Sequence, residues 1–201
     1  SMGSGTVFSL QYGAGDLSAL RRSIYVSFLL IGTVTILLNV AVFLWLDPIL
    51  RWLQVPYDIY SLMRNYLWII FWGIVFTFLY NFYAALLRAV GDSVTPLWFL
   101  AVSVVLNIGL DLFLILVLDQ GIEGAAVATV IAQGTAASGI LLYTYKIRPE
   151  LRLHREDMRF DRSSLREITS FSTLTCVQQS VMNFGILMVQ GLVNSFGTVV
   201  M

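Results

Sequence analysis

The chain has 201 residues, of which 58% are hydrophobic and 12% charged, and its mean hydropathy is +0.80. Soluble domains carry about 25% charged residues, so this composition predicts a protein whose main solvent is lipid. Twelve basic residues balance twelve acidic ones, which argues against a nucleic-acid-binding surface. One histidine and one cysteine cannot build an internal disulfide or a histidine-based metal or catalytic site. We expect Cys176 to be a small buried residue.

A membrane-spanning helix needs about 20 apolar residues, and four complete stretches of this kind lie at residues 23–46, 66–87, 96–118 and 124–145. The first should end at Asp47 and Pro48, because proline cannot continue the hydrogen bonds of a helix. A fifth, partial span begins near Ile168 and runs to about Phe196, and residues 6–12 have the pattern of the end of another. The sequence therefore predicts an all-α polytopic membrane protein, with partial spans at each end that indicate a fragment of a longer chain.

Two smaller features accompany these spans. Residues 1–5 have a composition compatible with a cloning remnant.

The loops differ in charge: those on one side hold ten basic residues and those on the other only Arg51 and Arg64. The ten are Arg21, Arg22, Arg88, Lys146, Arg148, Arg152, Arg155, Arg159, Arg162 and Arg166. Basic loops stay in the cytoplasm, so the arginine-rich side should be cytoplasmic, and the mixed charges of residues 146–167 predict a solvated connector there.

Asp111 lies in the middle of the third stretch, four residues after Asn107, with no other charged residue between Asp92 and Asp119. A carboxylate in hydrocarbon costs at least about 2.5 kcal/mol unless something compensates it. Residues four apart share one face of a helix, so Asn107 and Asp111 could line one polar site that holds a proton or a small cation. The alternative is a structural Asp bonded to a neighbouring helix.

Five segments follow one another along the chain: GSGT at 3–6 through QYGAGD at 11–16 to the arginine pair at 21–22, LRAVGDSVTP at 87–96, NIGLD at 107–111, GIEGAAVAT at 121–129 and QQS at 178–180. None is specific alone. In this order, and with the topology above, they resemble the multidrug and toxic compound extrusion (MATE) family over the whole chain.

The resemblance implies a MATE-like bundle of twelve helices in two six-helix lobes that open alternately to either side. The chain would run from about helix two to helix seven. Residues 1–145 would then form the N-terminal lobe from the end of helix two to helix six, residues 146–167 the cytoplasmic connector between lobes, and residues 168–201 the start of the C-terminal lobe. Transporters built from repeats place their sites near the membrane midplane.

The resemblance also assigns residues. Asn107, Asp111 and Thr129 match the family's first-lobe cation site, whose fourth member lies on helix one. Oxygen ligands of this kind suit a hard cation such as Na⁺, and the same carboxylate could carry a proton instead. A packing role is the alternative for Thr129. Gln178 and Asn183 are candidates for the substrate pathway, with hydrogen bonding between helices as the alternative.

The implied function is a secondary antiporter that exports amphipathic or cationic drugs or toxins in exchange for Na⁺ or H⁺. It needs no catalytic residue, no cofactor beyond the coupling ion and no metal beyond a possible Na⁺ at Asp111. Its partners would be a small organic cation and membrane lipid, without nucleic acid, and the complete protein would be a monomer in the bacterial inner or plasma membrane.

Two other functions remain open. A lipid-linked oligosaccharide flippase of the same superfamily would be favoured by several Lys or Arg in the lumen, and the predicted spans contain none. A non-transporting membrane scaffold would need a large soluble partner surface. An enzyme is disfavoured, since no span holds a His, a reactive pair of acids or a Cys–His combination.

Overall fold

A computed structural model describes residues 2–52, 57–153, 157 and 161–195. Its helices are α1 (Met2–Gly13), α2 (Leu17–Trp52), α3 (Tyr57–Ala89), α4 (Val94–Leu112), α5 (Gly121–Ile147) and α6 (Arg162–Ser195). A π-helical stretch, Phe113–Val117, continues α4, and a short 3-10 turn, Pro149–Leu151, follows α5. Residues 154–156 and 158–160 of the predicted connector, His154 among them, and the predicted end of the last span near Phe196 lie outside the described residues.

Four of the described helices are long and apolar enough to cross a membrane: Leu17–Trp52, Ile59–Ala89, Val94–Val117 and Gly121–Ile147. They coincide with the four complete spans expected from the sequence, and the prediction of an all-α polytopic membrane fold is confirmed. Residues 6–12 lie within a helix, as predicted for the end of an earlier span. Helix α6 is not among the four, so its assignment as a partial span stays a prediction.

The predicted end of the first span at Asp47 and Pro48 is wrong. Helix α2 continues through Pro48 to Trp52, although proline removes one helical hydrogen bond. Two side chains of α3 brace this turn: the Tyr60 hydroxyl donates to Asp47 Oδ1 at 3.1 Å, and Arg64 Nε donates to the same oxygen at 2.9 Å. Contacts between helices have overridden the local signal.

The largest cluster of buried residues in the described core joins α1, α2 and α3 and is rich in aromatic contacts. Phe8 and Phe82 are fully or almost fully buried, and their ring centroids lie 6.1 Å apart in an edge-to-face arrangement. Phe28 approaches Phe82 to 5.3 Å, and Leu20 and Leu86 complete the cluster. Edge-to-face pairs add to the stabilisation that burial already gives. The core fixes α3 in the middle of the bundle, where it also packs along α5.

The N-terminal residues belong to the fold. Ser4, Val7 and Phe8 are completely buried, and Gly3 approaches α6 so closely that a Cβ atom on it would lie 2.5 Å from the Cα of Ser172. The interpretation of residues 1–5 as a cloning remnant is therefore wrong for Gly3 and Ser4, which are packing residues. Small residues permit such close helix approach. The prediction of a buried Cys176 is also wrong, since its thiol is exposed on α6.

A polar network centred on Asp92 ties together the end of the bundle where α3 and α5 finish, here called the Asp92 end. Asp92 accepts hydrogen bonds from the Thr95 amide and hydroxyl and, at 3.3 Å, from the Tyr143 hydroxyl, and Arg148 lies 3.6 Å away. The preceding Gly91 has φ +88°, a conformation that favours glycine. The network joins α4, α5 and the start of the predicted connector.

Candidate cation site

Helix α4 places Asn107 and Asp111 one turn apart on the same face, as their spacing predicts. Both side chains are half-buried. The helix packs against α5, which carries Thr129. The three residues predicted from the sequence as cation ligands therefore lie on two neighbouring helices.

Asn107 and Thr129 are in direct contact. The Asn107 Nδ2 group donates to Thr129 Oγ1 at 3.4 Å, and the Thr129 hydroxyl donates in turn to the Ala125 carbonyl at 2.9 Å. A hydroxyl has one proton to donate and can accept as well, so the two bonds use Thr129 in complementary ways. With its NH₂ group turned towards α5, Asn107 keeps a carbonyl oxygen for another partner.

Asp111 is the unsatisfied member of the group. Its Oδ1 atom is buried and has no hydrogen-bond partner among the described residues. The described hydrogen bonds do not join it to Asn107 or Thr129. Native structures pair nearly all buried polar atoms, and an unpaired buried carboxylate is especially costly. The structural alternative, an Asp bonded to a neighbouring helix, has no such bond for Oδ1 within the described residues.

The helix changes its winding directly after this carboxylate. Phe113–Val117 is π-helical, and the Leu118 amide donates to the Phe113 carbonyl five residues back at 3.2 Å. Leu114 is the buried residue of the segment and lies against Gly124 of α5, where an added Cβ would come within 3.2 Å of Leu114 Cβ. Single π-helical turns are often found at functional sites. This π-helical turn could not be predicted from the sequence, because its five residues are uniformly apolar.

Within the described ranges, no group of three or more His, Cys, Asp or Glu side chains could hold a metal ion. Around Asp111 the candidate ligands are one carboxylate, one amide and one hydroxyl. A single carboxylate balances a single positive charge. This donor set suits a proton or a monovalent hard cation better than a divalent transition metal.

The two predicted pathway residues lie elsewhere. Gln178 and Asn183 are exposed on α6, which packs against α1 and α2, whereas α4 packs against α5. The described contacts thus bring Asn107 and Thr129 together and leave Gln178 and Asn183 on a separate face. Their role in a substrate pathway stays a prediction.

The fold and this site define a polytopic helical membrane protein with a solitary carboxylate in one span. The sequence model of the MatE family matches residues 1–113, more than half of the chain. The chain therefore belongs to the MatE family, which confirms the resemblance. Membership of this transporter family also confirms the prediction that the chain is not an enzyme.

The similarity to known proteins covers nearly the whole chain. It is 34% identical over 192 residues to "Probable multidrug resistance protein YpnP" of Bacillus subtilis, covering 96% of this chain and 43% of that protein. It is 31% identical over 197 residues to "Probable multidrug resistance protein NorM" of Thermotoga maritima, covering 94% and 41%. The chain thus spans about two-fifths of the length of these relatives.

A solved structure agrees with the fold. The Vibrio cholerae MATE transporter VcmN in its bent form superposes with a TM-score of 0.83 over 98% of this chain and 44% of that one, at 24% identity. At this identity the likeness establishes the fold alone. The helical arrangement described above is accordingly that of a MATE transporter over the matched part.

Proposed function

We propose that the chain forms part of a secondary antiporter that exports amphipathic or cationic drugs or toxins in exchange for Na⁺ or H⁺. The observation that carries the proposal is the buried Oδ1 of Asp111, which has no hydrogen-bond partner among the described residues, together with the linked pair Asn107 and Thr129 on the same two helices. The multidrug resistance names of two relatives support the substrate class.

In this proposal the coupling ion binds at Asp111. An ion arriving from outside neutralises the carboxylate and removes the cost of an unpaired charge in the membrane. The carbonyl oxygen of Asn107 and the hydroxyl of Thr129 complete its coordination. Because the ion binds one conformation more tightly than the other, its gradient shifts the populations of the two states and drives export.

The proposal also assigns a place in the transporter to the other segments of the chain. Residues 1–145 belong to the N-terminal lobe, residues 146–167 to the connector between lobes, and residues 168–201 to the start of the second lobe. The arginine-rich loops face the cytoplasm of a bacterial plasma membrane. Membrane lipid and a small organic cation are the partners, and the transporter acts as a monomer.

The test uses the transporter in its full natural length, reconstituted in liposomes. Efflux of a fluorescent organic cation is followed under an imposed Na⁺ gradient and then under a pH gradient. The wild type should export under one of them. Asp111→Asn, which keeps the shape and removes the charge, should insert normally and lose coupled export.

Asp119→Asn is the matched control, because Asp119 is exposed in the turn between the π-helical stretch and α5. It should export like the wild type. Full export by Asp111→Asn would overturn the role of the carboxylate. A wild type that exports no cation tested under either gradient would overturn the antiport function itself.

A further inference from the structure

A cavity lies at the Asp92 end of the bundle, and Asp111 is not among the residues that line it. It has a volume of about 200 Å³ and opens between the ends of α2, α3 and α5, beneath residues 151–153. Three aliphatic side chains of its lining are buried: Ile24 is 3% exposed, Leu86 1% and Leu151 5%. Leu141 and Leu153 add further aliphatic surface.

The mouth of the cavity is polar and carries a fixed positive charge. The Arg152 guanidinium lies 4.5 Å from the centre of the Tyr145 ring, and its Nε donates to the Tyr145 carbonyl at 2.8 Å. Both side chains are exposed. Stacking on an aromatic face and a hydrogen bond together restrict the orientation of the guanidinium, so the cavity runs from a cationic mouth to an aliphatic floor.

Neighbouring charges leave the mouth basic. Lys146, directly after Tyr145 in the chain, is exposed and adds a second positive charge at this end of the bundle. Of the acidic groups, Glu150 is paired with Arg148 at 3.4 Å, and Arg148 also faces Asp92. Tyr145 lies in the last turn of a membrane-spanning helix, the level at which aromatic side chains meet lipid head groups.

We propose that this cavity holds part of one acyl chain of an anionic phospholipid, whose phosphate binds the Arg152 guanidinium. The cavity is smaller than the roughly 300–1,000 Å³ of pockets that enclose drug-sized ligands, but a narrow aliphatic space suits part of a linear chain. Basic pockets between helices on the cytoplasmic side are suited to anionic head groups. The lipid would bridge α5 and residues 151–153. The site is independent of the cation site and needs only membrane insertion.

The test uses the full-length transporter purified from membranes and equilibrated with equal amounts of phosphatidylglycerol and phosphatidylcholine. Native mass spectrometry then counts the lipids that each protein retains. The wild type should retain one phosphatidylglycerol in preference to phosphatidylcholine. Glycerol 3-phosphate, a soluble head group without chains, should not displace it, and displacement would overturn the assignment to a lipid.

Two variants separate the charge from the cavity. Arg152→Gln removes the charge at the mouth and should lower the preference for phosphatidylglycerol about fivefold. Arg162→Gln makes the same charge change in the first turn of α6, away from the cavity, and should change nothing. Leu141→Phe fills the aliphatic space and should abolish retention of either lipid.

Equal retention by Arg152→Gln and wild type would overturn the proposal, as would equal losses in Arg152→Gln and Arg162→Gln. Retention by a folded Leu141→Phe protein would overturn the assignment of the chain to this cavity. Leu141 is half-buried, so its variant is checked for helicity first. If it does not fold, the two arginine variants decide, since both side chains are exposed.

Discussion

Thr129 is the residue that links the two helices of the cation site, because it holds Asn107 at 3.4 Å while its own proton is committed to the Ala125 carbonyl. Thr129→Val preserves the shape and removes the acceptor of that bond. A typical hydrogen bond is worth about 1 kcal/mol, so the apparent affinity of the proposed transporter for its coupling ion should fall about fivefold.

The measurement is the dependence of export on the concentration of the coupling ion. Thr129→Ser keeps the hydroxyl and should stay close to the wild type. A Thr129→Val protein with unchanged ion dependence would mean that Thr129 only packs between the helices, the alternative left open by its sequence context.

Asp161 caps the start of α6. Its carboxylate accepts hydrogen bonds from the Ser163 hydroxyl and amide and from the Ser164 hydroxyl, and these lower the pKa of Asp161 from 3.8 to about 2. A lowered pKa means that the folded state favours the charged form. The stabilisation is therefore complete above pH 3.8 and is lost as the pH falls towards 2.

The expected carboxyl titration of Asp161, followed by NMR in labelled protein, has its midpoint near pH 2. Asp161→Ala should speed amide exchange at Ser163, Ser164 and Leu165 at neutral pH, whereas Asp161→Asn, a good capping residue, should protect them almost as well as Asp. A midpoint near 4, or equal exchange in the Ala and Asn variants, would contradict the cap.

The contacts and burial of a residue can be predicted from sequence only as far as its neighbours in the chain determine them. The contact of Asn107 with Thr129 joins residues in different spans and came from the family pattern, while their placement on facing helices needed the fold. The isolation of Asp111 Oδ1 depends on what the neighbouring helices do not offer, which no local pattern reports. Cys176 was misassigned because burial on α6 depends on which helices cover it.

Where two helices pack closely, only a small residue fits at the contact, and Gly3 is the clearest example. A Cβ on Gly3 would lie 2.5 Å from the backbone of Ser172, so Gly3→Ala must push α1 away from α6. Overpacking of this kind costs about 1–3 kcal/mol. The expected result is a lower melting temperature of the full-length transporter in detergent, measured by the loss of helical signal.

Gly13→Ala is the matched control on the same helix, because nothing lies within 4 Å of the added Cβ and alanine is a better helix former than glycine. It should leave the melting temperature unchanged or slightly higher. A Gly3→Ala protein as stable as Gly13→Ala would show that α1 and α6 pack less tightly than the structure indicates.

Helix positions followed from hydropathy, but helix ends did not. Apolar length placed all four spans, whereas α2 passed through Pro48 because Tyr60 and Arg64 hold Asp47 from another helix. Helix α6 begins at Arg162, before the apolar residues from Ile168, because its cap lies in polar sequence at Asp161. The π-helical winding of Phe113–Val117, whose Leu114 packs against Gly124 of α5, has no local signature in its apolar sequence.

At the scale of the molecule, the Asp92 network decides how the segment after α5 is held. Burial raises the pKa of Asp92, but hydrogen bonds from Thr95 and Tyr143 and the charge of Arg148 outweigh it, so that the pKa is lowered. The carboxylate therefore stabilises the fold above its ordinary pKa of 3.8 and loses this effect as the pH falls below it.

Asp92→Asn removes this charge and should loosen residues 148–153 from the bundle, which hydrogen–deuterium exchange would report as faster labelling of that segment. Arg88→Gln changes an exposed charge at the end of α3 and should not. Unchanged exchange in Asp92→Asn would mean that the buried Leu151 and the Arg21 bond to the Glu150 carbonyl hold the segment without Asp92.

The exposed surface of α6 bears on how the complete transporter is assembled. Large apolar side chains along this helix are more than half exposed, among them Leu174, Val181 and Phe184. The polar Gln178 and Asn183 lie among them, and neither a purely aqueous nor a purely lipid environment explains this mixture. Since the chain spans about two-fifths of its relatives, we expect additional transporter helices to cover this face. The exposed thiol of Cys176 lies on the same helix and can report it.

In residues 1–201 alone, held in detergent, a maleimide should label Cys176 rapidly, and in the full-length transporter labelling should slow at least severalfold. The control is Leu97→Cys in a Cys176→Ser background, on the exposed surface of α4, which should react at similar rates in both chains. The full-length chain is prepared without any other cysteine. If Cys176 reacts equally fast in both, α6 faces lipid or water in the complete protein, and the expectation that further helices cover this face is wrong.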